Sequence, residues 1–438
     1  MKRRIYRQLL EWKRRGAAKP LLVLGARQVG KTYVIKEFCR REFAATETIT
    51  LSERPDIVAL FAEAIPTERK VKRLQLLLGH AVDFESTVLF FDEVQVSEDF
   101  IESLKFFAED PTPYQIICAG SLLGVSLARF SKSFPVGKVE LLRLAPMDFP
   151  EYLSALGQDA LWDEILQHSA QRAQLPAPLH EHCLDLYRCY LWVGGMPEAV
   201  ANLIAHDIDP LRTDRGILDA ISESYLADMS KHILTPMEAA RIQAVYRSLP
   251  SQLGNASRKF QYAEVRAGAR ARDYASALSW LVASEIVRCV TMVSTPTSPL
   301  RAYERDGFFK LFLNDTGLLC QLAGVRAAAV LFDHDMPFRG AIAENYVACQ
   351  LAARGVPLFY WRDDNNAEID FVMDTDEGVI PLEVKAGIRV KSASLEAYRS
   401  RFDPPYVIRF STRNFGSKGG VVSLPLYAAA SLCPGSEV

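Results

Sequence analysis

Residues 21–38 read LLVLGARQVGKTYVIKEF, and this stretch decides the fold. Four apolar residues, Leu21 to Leu24, run into Gly25, and Gly30, Lys31 and Thr32 complete the spacing G-x-x-x-x-G-K-[ST]. The order is an apolar strand, a glycine-bounded loop and a helix. Glycines at both ends let the backbone curl until its N–H groups point inward, which is how a loop cradles phosphate oxygens. The helix that follows offers its positive end. Such a loop binds a nucleotide through Gly25, Ala26, Arg27, Gln28, Val29, Gly30, Lys31, Thr32 and Tyr33. Lys31 is then expected to reach the β- and γ-phosphates, with the Thr32 hydroxyl a ligand of Mg²⁺. The bland alternative is a plain tight turn.

Two further stretches strengthen the nucleotide reading. STVLFFDEVQ (86–95) is an apolar strand ending in Asp92 and Glu93. At the C-terminal edge of a buried strand Asp92 holds the Mg²⁺ shell, and Glu93 orients or deprotonates the attacking water. Any strand can end in two acids, but this pair stands about sixty residues after a phosphate loop, and it favours hydrolysis over storage. YQIICAGSLLG (114–124) is a third buried strand, with Ser121 placed to contact the γ-phosphate or the water. A simple strand-end turn explains Ser121 equally well. Arg129, Lys138 and Arg143 follow, each a candidate to reach a neighbouring subunit's nucleotide.

The chain has 438 residues, 49% apolar and 24% charged, with a formal net charge of −2. This is ordinary for a globular protein of two to four domains, and it excludes a bulk electrostatic signature of nucleic-acid binding. No apolar run is long enough to span a membrane. The basic start MKRRIYRQLLEWKRRG reads as a helix packed beside the first strand, not as an export signal. Eight scattered cysteines without a CxxC pair suit a reduced cytoplasm. His180, His182 and Cys183 sit together but lack a second ligand pair at metal-site spacing.

GARQVGKT, LFFDEVQ, AGSLLG, LAPMDFPEYL and WVGGMPEAV, in this order, resemble a large prokaryotic family of AAA+-type P-loop ATPases, a resemblance that covers essentially the whole chain. The C-terminal region of that family was long catalogued as a domain of unknown function. The resemblance implies ATP and Mg²⁺ as ligands and a homo-oligomeric ring. A Gly-Arg pair usual in the family is Gly137-Lys138 here, and lysine lacks arginine's forked contact.

The expected architecture is α/β with four domains. A P-loop AAA+ core with a parallel sheet spans 1–155, a helical lid 156–245, a winged helix-turn-helix 246–330, and an α/β nuclease-like domain 331–438. The winged helix is read from ASRKFQYAEVRAGARARDYASALSWLVASEIVRCVTMV (256–293). Its helices are 262–269 and 272–283, its first wing strand is 286–293, and Tyr274, Leu278 and Leu281 point inward. Arg258, Lys259, Arg266, Arg270 and Arg272 gather there, either gripping DNA phosphates or simply solvated.

VIPLEVKAG (379–387) places Glu383 and Lys385 on one face of a strand. Glu344 lies on an upstream amphipathic helix, and Asp370 stands between Ile369 and Phe371. Glu on a helix, then Asp, then Glu-x-Lys resembles the PD-(D/E)XK nuclease core. On that resemblance Glu344, Asp370 and Glu383 hold Mg²⁺ or Mn²⁺, and Lys385 orients the attacking water. For Asp370 and Glu383 to share a face, opposed residues must sum to an odd number, and Met373 opposite Gly378 meets the condition with a loop over 374–377. A solvated Glu-x-Lys face is the ordinary alternative. Two functions compete: an ATPase coupled to cleavage of DNA or RNA, and an ATP-driven or DNA-binding switch whose nuclease fold no longer cuts. A protein-remodelling ATPase is weaker, because no aromatic pore loop is evident.

Overall fold

The computed structural model describes residues 1–16, 19–128, 134–231, 235–255, 258–333, 335–364, 367–388 and 393–432. The chain divides into two compact units, one of residues 2–145 with 283–285 and one of residues 146–282 with 286 onward.

The N-terminal unit is built on five parallel strands. They are β1 (Leu21–Leu24), β2 (Ala45–Thr50), β3 (Thr87–Asp92), β4 (Gln115–Ala119) and β5 (Glu140–Arg143), in the order β2-β3-β4-β1-β5. β1 and β3 are buried along their whole length, as strands covered on both faces must be. β2 is six residues long. It is an edge strand in which only Ile49 is fully buried, so its apolar run is too short to mark its start. Helix α1 (Ile5–Arg14) buries Ile5, Leu9 and Trp12, spaced to fall on one helical face. The rings of Phe61, Phe91 and Phe100 close one side of the core, Phe91 and Phe100 having centroids 4.6 Å apart.

The second unit opens with helices. Two stretches that carried the family resemblance do structural work here. Gly195 lies against the Met147 carbonyl, where a Cβ would come within 2.0 Å. The Gly195 N–H donates to the buried Asp315 carboxylate at 2.6 Å, and Asp315 also caps the helix Thr316–Leu322 through the Leu318 N–H. Asp148 and Glu151 form a capping box on the helix Phe149–Ala155.

An eight-stranded mixed sheet follows. Its strands are β6 (Val287–Val293), β7 (Glu304–Leu313), β8 (Phe359–Arg362), β9 (Glu368–Thr375), β10 (Gly378–Val384), β11 (Val407–Ser411), β12 (Gly416–Lys418) and β13 (Val421–Pro425). Their order is β12-β13-β11-β10-β9-β8-β6-β7. β6 and β7, the expected wing, pair antiparallel, and β6 also pairs parallel with β8. This sheet therefore runs across the boundary expected between residues 330 and 331. The predicted helix over 262–269 is one turn, Tyr262–Val265, ending where Arg266 takes an extended backbone with φ −163° and ψ 139°. The next helix, Ala271–Ala283, buries Tyr274, Ala277, Trp280 and Leu281. No helix among the described residues is long and apolar enough to cross a membrane.

Candidate functional site

The phosphate loop turns through positive φ at three positions, two of them glycine. Gly25, Gln28 and Gly30 have φ of 153°, 63° and 92°. A Cβ on Gly25 would lie 2.3 Å from the Leu144 carbonyl, so only glycine fits between β1 and the chain leaving β5. Gly30 leads straight into helix α2 (Lys31–Glu42), whose first N–H groups face the loop. Arg3, buried at the head of α1, donates to the Val29 carbonyl at 2.8 Å and to the Ala145 carbonyl at 2.6 Å. It braces the loop from behind, a role the sequence reading did not assign.

Lys31 Nζ donates to the Gly25 and Ala26 carbonyls at 2.8 and 2.7 Å. Thr32 Oγ1 donates to Asp92 Oδ2 at 2.7 Å, joining the loop to the end of β3. Glu93 follows with φ 55°, a left-handed conformation that is unusual for glutamate. Gln95 Nε2 donates to Glu93 Oε2, and Gln95 Oε1 is buried beside Gly120 with no hydrogen-bond partner among the described residues. Gln95 therefore belongs to this site, although the sequence reading quoted it without a role. Ser121 is buried just beyond β4, whereas Tyr33, on the first turn of α2, is 64% exposed. A hydroxyl and a carboxylate, with waters, are the donors Mg²⁺ takes beside a phosphate, so Thr32 and Asp92 fit that ion. Of the cations after Ser121, Lys138 pairs with Glu109 at 2.8 Å and Arg143 with Glu285 at 2.9 Å. Arg129 lies outside the described residues.

In the second unit the register differs from expectation by two residues. Thr375, not Met373, faces Gly378, leaving a two-residue turn at Asp376 and Glu377. Asp374 and Thr375 continue the ladder at a strand end where both faces are exposed or half-buried, and Thr375 Oγ1 donates to the Gly378 carbonyl at 2.8 Å. The parity is unchanged. One step beyond Leu382 opposite Phe371, Glu383 faces Asp370.

Most of these carboxylate oxygens already have partners, although Glu344 Oε2 is buried without a hydrogen bond among the described residues. Asp370 Oδ2 accepts from the Val384 N–H at 2.8 Å. Glu383 accepts from Arg409 Nε at 2.9 Å and pairs with Lys385 at 3.1 Å. Glu344, on the helix Arg339–Ala353, pairs with Arg258, and Lys310 Nζ lies 4.0 Å from it and 2.6 Å from Glu368. Burial, with the Asp370 carboxylate close by, pushes Glu344 up to about 8, against the pull of Arg258 and Lys310. Burial acts against the Lys310 charge, but Glu368, Glu344 and Asp370 outweigh it, so that ammonium holds its proton above the ordinary range. Among the described residues no group of three His, Cys, Asp or Glu side chains is placed to hold a metal ion. Arg258 and Lys310 stand at Glu344, and Arg409 and Lys385 at Glu383, so these two carboxylates already face resident cations, whereas Asp370 is held by a backbone N–H. The sequence singled out the acids and Lys385 but not Lys310 or Arg409, whose strands read as apolar runs.

His180 commits both ring nitrogens, Nδ1 to Tyr427 Oη at 2.8 Å and Nε2 to the Thr412 carbonyl at 3.2 Å. Burial pushes the nearby Cys183 thiol up to about 12.

Residues 17–153 match the AAA domain family. Residues 184–329 and 339–428 match two domains of unknown function, DUF8612 and DUF4143. No curated protein matches the chain. Among solved structures, the ORC2 protein of Aeropyrum pernix, in its ADPNP–ADP complexes, is 13% identical with a TM-score of 0.37. The alignment covers 75% of this chain and 92% of that one. Cdc6p from Pyrobaculum aerophilum is 14% identical with a TM-score of 0.25, over 76% and 95% of the two chains. A STAND-family signal-transduction ATPase from Pyrococcus horikoshii is 11% identical with a TM-score of 0.25, over 81% and 45%.

Proposed function

We propose that this protein binds and hydrolyses ATP in its N-terminal unit and that its second unit answers to nucleic acid without cutting it. The observation that carries the ATPase reading is the hydrogen bond from Thr32 to Asp92, which brings loop and strand end to one point. The amides of residues 25–32 donate to phosphate oxygens, and Lys31 exchanges its two carbonyl acceptors for them. Thr32 and Asp92 hold Mg²⁺, which when bound offsets the charge on the β- and γ-phosphates. Glu93 takes the proton of the attacking water, and Gln95 fixes the carboxylate that does so. A homo-oligomer belongs to the same reading, with Arg143, 64% exposed, as the cation suited to a neighbour's nucleotide.

The non-cutting reading of the second unit rests on the cations at Glu344, Glu368 and Glu383. They favour a switch over a metal-dependent nuclease. The wild-type protein is expected to bind a fluorescent ATP analogue with Mg²⁺, to lose this in Lys31→Ala, and to leave DNA and RNA intact with Mg²⁺ or Mn²⁺. Equal binding in Lys31→Ala would overturn the nucleotide site. Cleavage that disappears in both Asp370→Ala and Lys385→Ala would overturn the switch.

A further inference from the structure

Phe308 precedes Lys310 by two residues on β7, so both side chains project from one face of the sheet. Lys310 is buried, but Phe308 is only partly covered, and what covers it is cationic. Lys259 Nζ lies 3.8 Å from the Phe308 ring centroid and the Arg305 guanidinium carbon 5.0 Å from it. The Lys259 ammonium is depressed below its ordinary range, first by burial and then by the nearby charges of Arg362 and Arg305. Among the described residues no acidic side chain pairs with Lys259 or Arg305. Asp363, next to Arg362, turns inward and accepts from the Ala367 N–H at 2.7 Å.

The fold holds this like-charge group in place. Arg258, on one side of Lys259, is tied to Glu344. Phe260, on the other, donates its N–H to the Phe309 carbonyl at 2.8 Å and stacks on the Phe309 ring at 5.2 Å. Lys259 is therefore pinned over Phe308 from both neighbours. Like charges gathered on a fixed frame repel one another, and an anion from outside relieves that repulsion. An aromatic ring among the cations suits a partner that alternates phosphates with flat rings, which neither an acidic peptide nor a lipid headgroup does. By contrast Arg266, Arg270 and Arg272 are separately placed around the short helix Tyr262–Val265 and the start of the next.

We propose that Lys259 and Arg305 around Phe308 form the surface on which the second unit takes the backbone of a nucleic acid. This rests on the nucleic-acid reading above and names its surface, and it is independent of ATP hydrolysis. The test is fluorescence anisotropy of labelled single-stranded DNA with the full chain across a salt series, without nucleotide. Wild type should show log affinity falling linearly with log salt, and Lys259→Ala and Arg305→Ala should each make that slope shallower by about 0.7. Arg305 is exposed, so its variant reads the surface even where Lys259→Ala disturbs the fold. Arg266→Ala and Arg272→Ala should leave the slope unchanged. Unchanged slopes in Lys259→Ala and Arg305→Ala, with shallower ones in Arg266→Ala and Arg272→Ala, would overturn the surface and leave the nucleic-acid reading standing. Wild type that fails to bind even at low salt would overturn both.

Discussion

Arg3 shows how much of a site one residue outside the motif can carry. Its guanidinium joins the loop carbonyl of Val29 to that of Ala145, so Arg3→Ala removes two charge-assisted bonds from a buried place. Stability should fall by about 1.5–3 kcal/mol, read by urea unfolding, and ATP affinity should weaken with it; loss of neither would deny the brace. The motif Gly25–Thr32 was legible because its backbone geometry admits few residue types. Arg3 was not, because a basic residue at a helix start has no fixed meaning until the chain returns to it. His180 is a second case. Nε2 faces a carbonyl and must donate, so Nδ1 accepts from Tyr427 and the neutral ring fits. Burial holds its pKa below the ordinary 6.5, against a carbonyl partner and Glu181, with Arg188 acting in the same direction as burial. The folded state thus binds the proton more weakly than the unfolded chain. Its contribution is complete above 6.5 and declines as pH falls through that value. Unfolding followed down to about pH 5 should show a loss of stability that His180→Gln lacks; identical profiles would refute it.

Among the elements, the hairpin β9–β10 separates what a pattern specifies from what it leaves open. Alternation fixed which residues share a face, and Asp370 and Glu383 do. It could not place the turn, since Asp374 and Thr375 are as acceptable in a polar strand end as in a loop. Lys310 marks the other limit. A lone lysine in FFKLFL suggests a solvated position, yet it is fully buried against Glu368 and the Tyr360 ring. Its strand meets the carboxylates only because β6 joins β8. Lys310→Met leaves those acids without their ammonium and should cost about 3–5 kcal/mol in chemical unfolding. Adding Glu368→Gln should recover some of that loss. No loss in the single variant would remove the argument that resident cations replace a metal.

At the scale of the whole molecule the chain forms two compact units. The parallel sheet was readable from strands buried on both faces, and the AAA match over residues 17–153 accords with it. The continuity of β6 and β7 with the C-terminal strands was not readable, because pairing between distant strands leaves no local periodicity. Everything proposed for the protein as an engine depends on the nucleotide site. The most direct measurement is steady-state phosphate release from Mg-ATP by wild type and Glu93→Gln, with ATP binding measured on the same samples. The account predicts unchanged binding and turnover reduced by about 10²–10⁴-fold in Glu93→Gln. Equal turnover in the two proteins would contradict it.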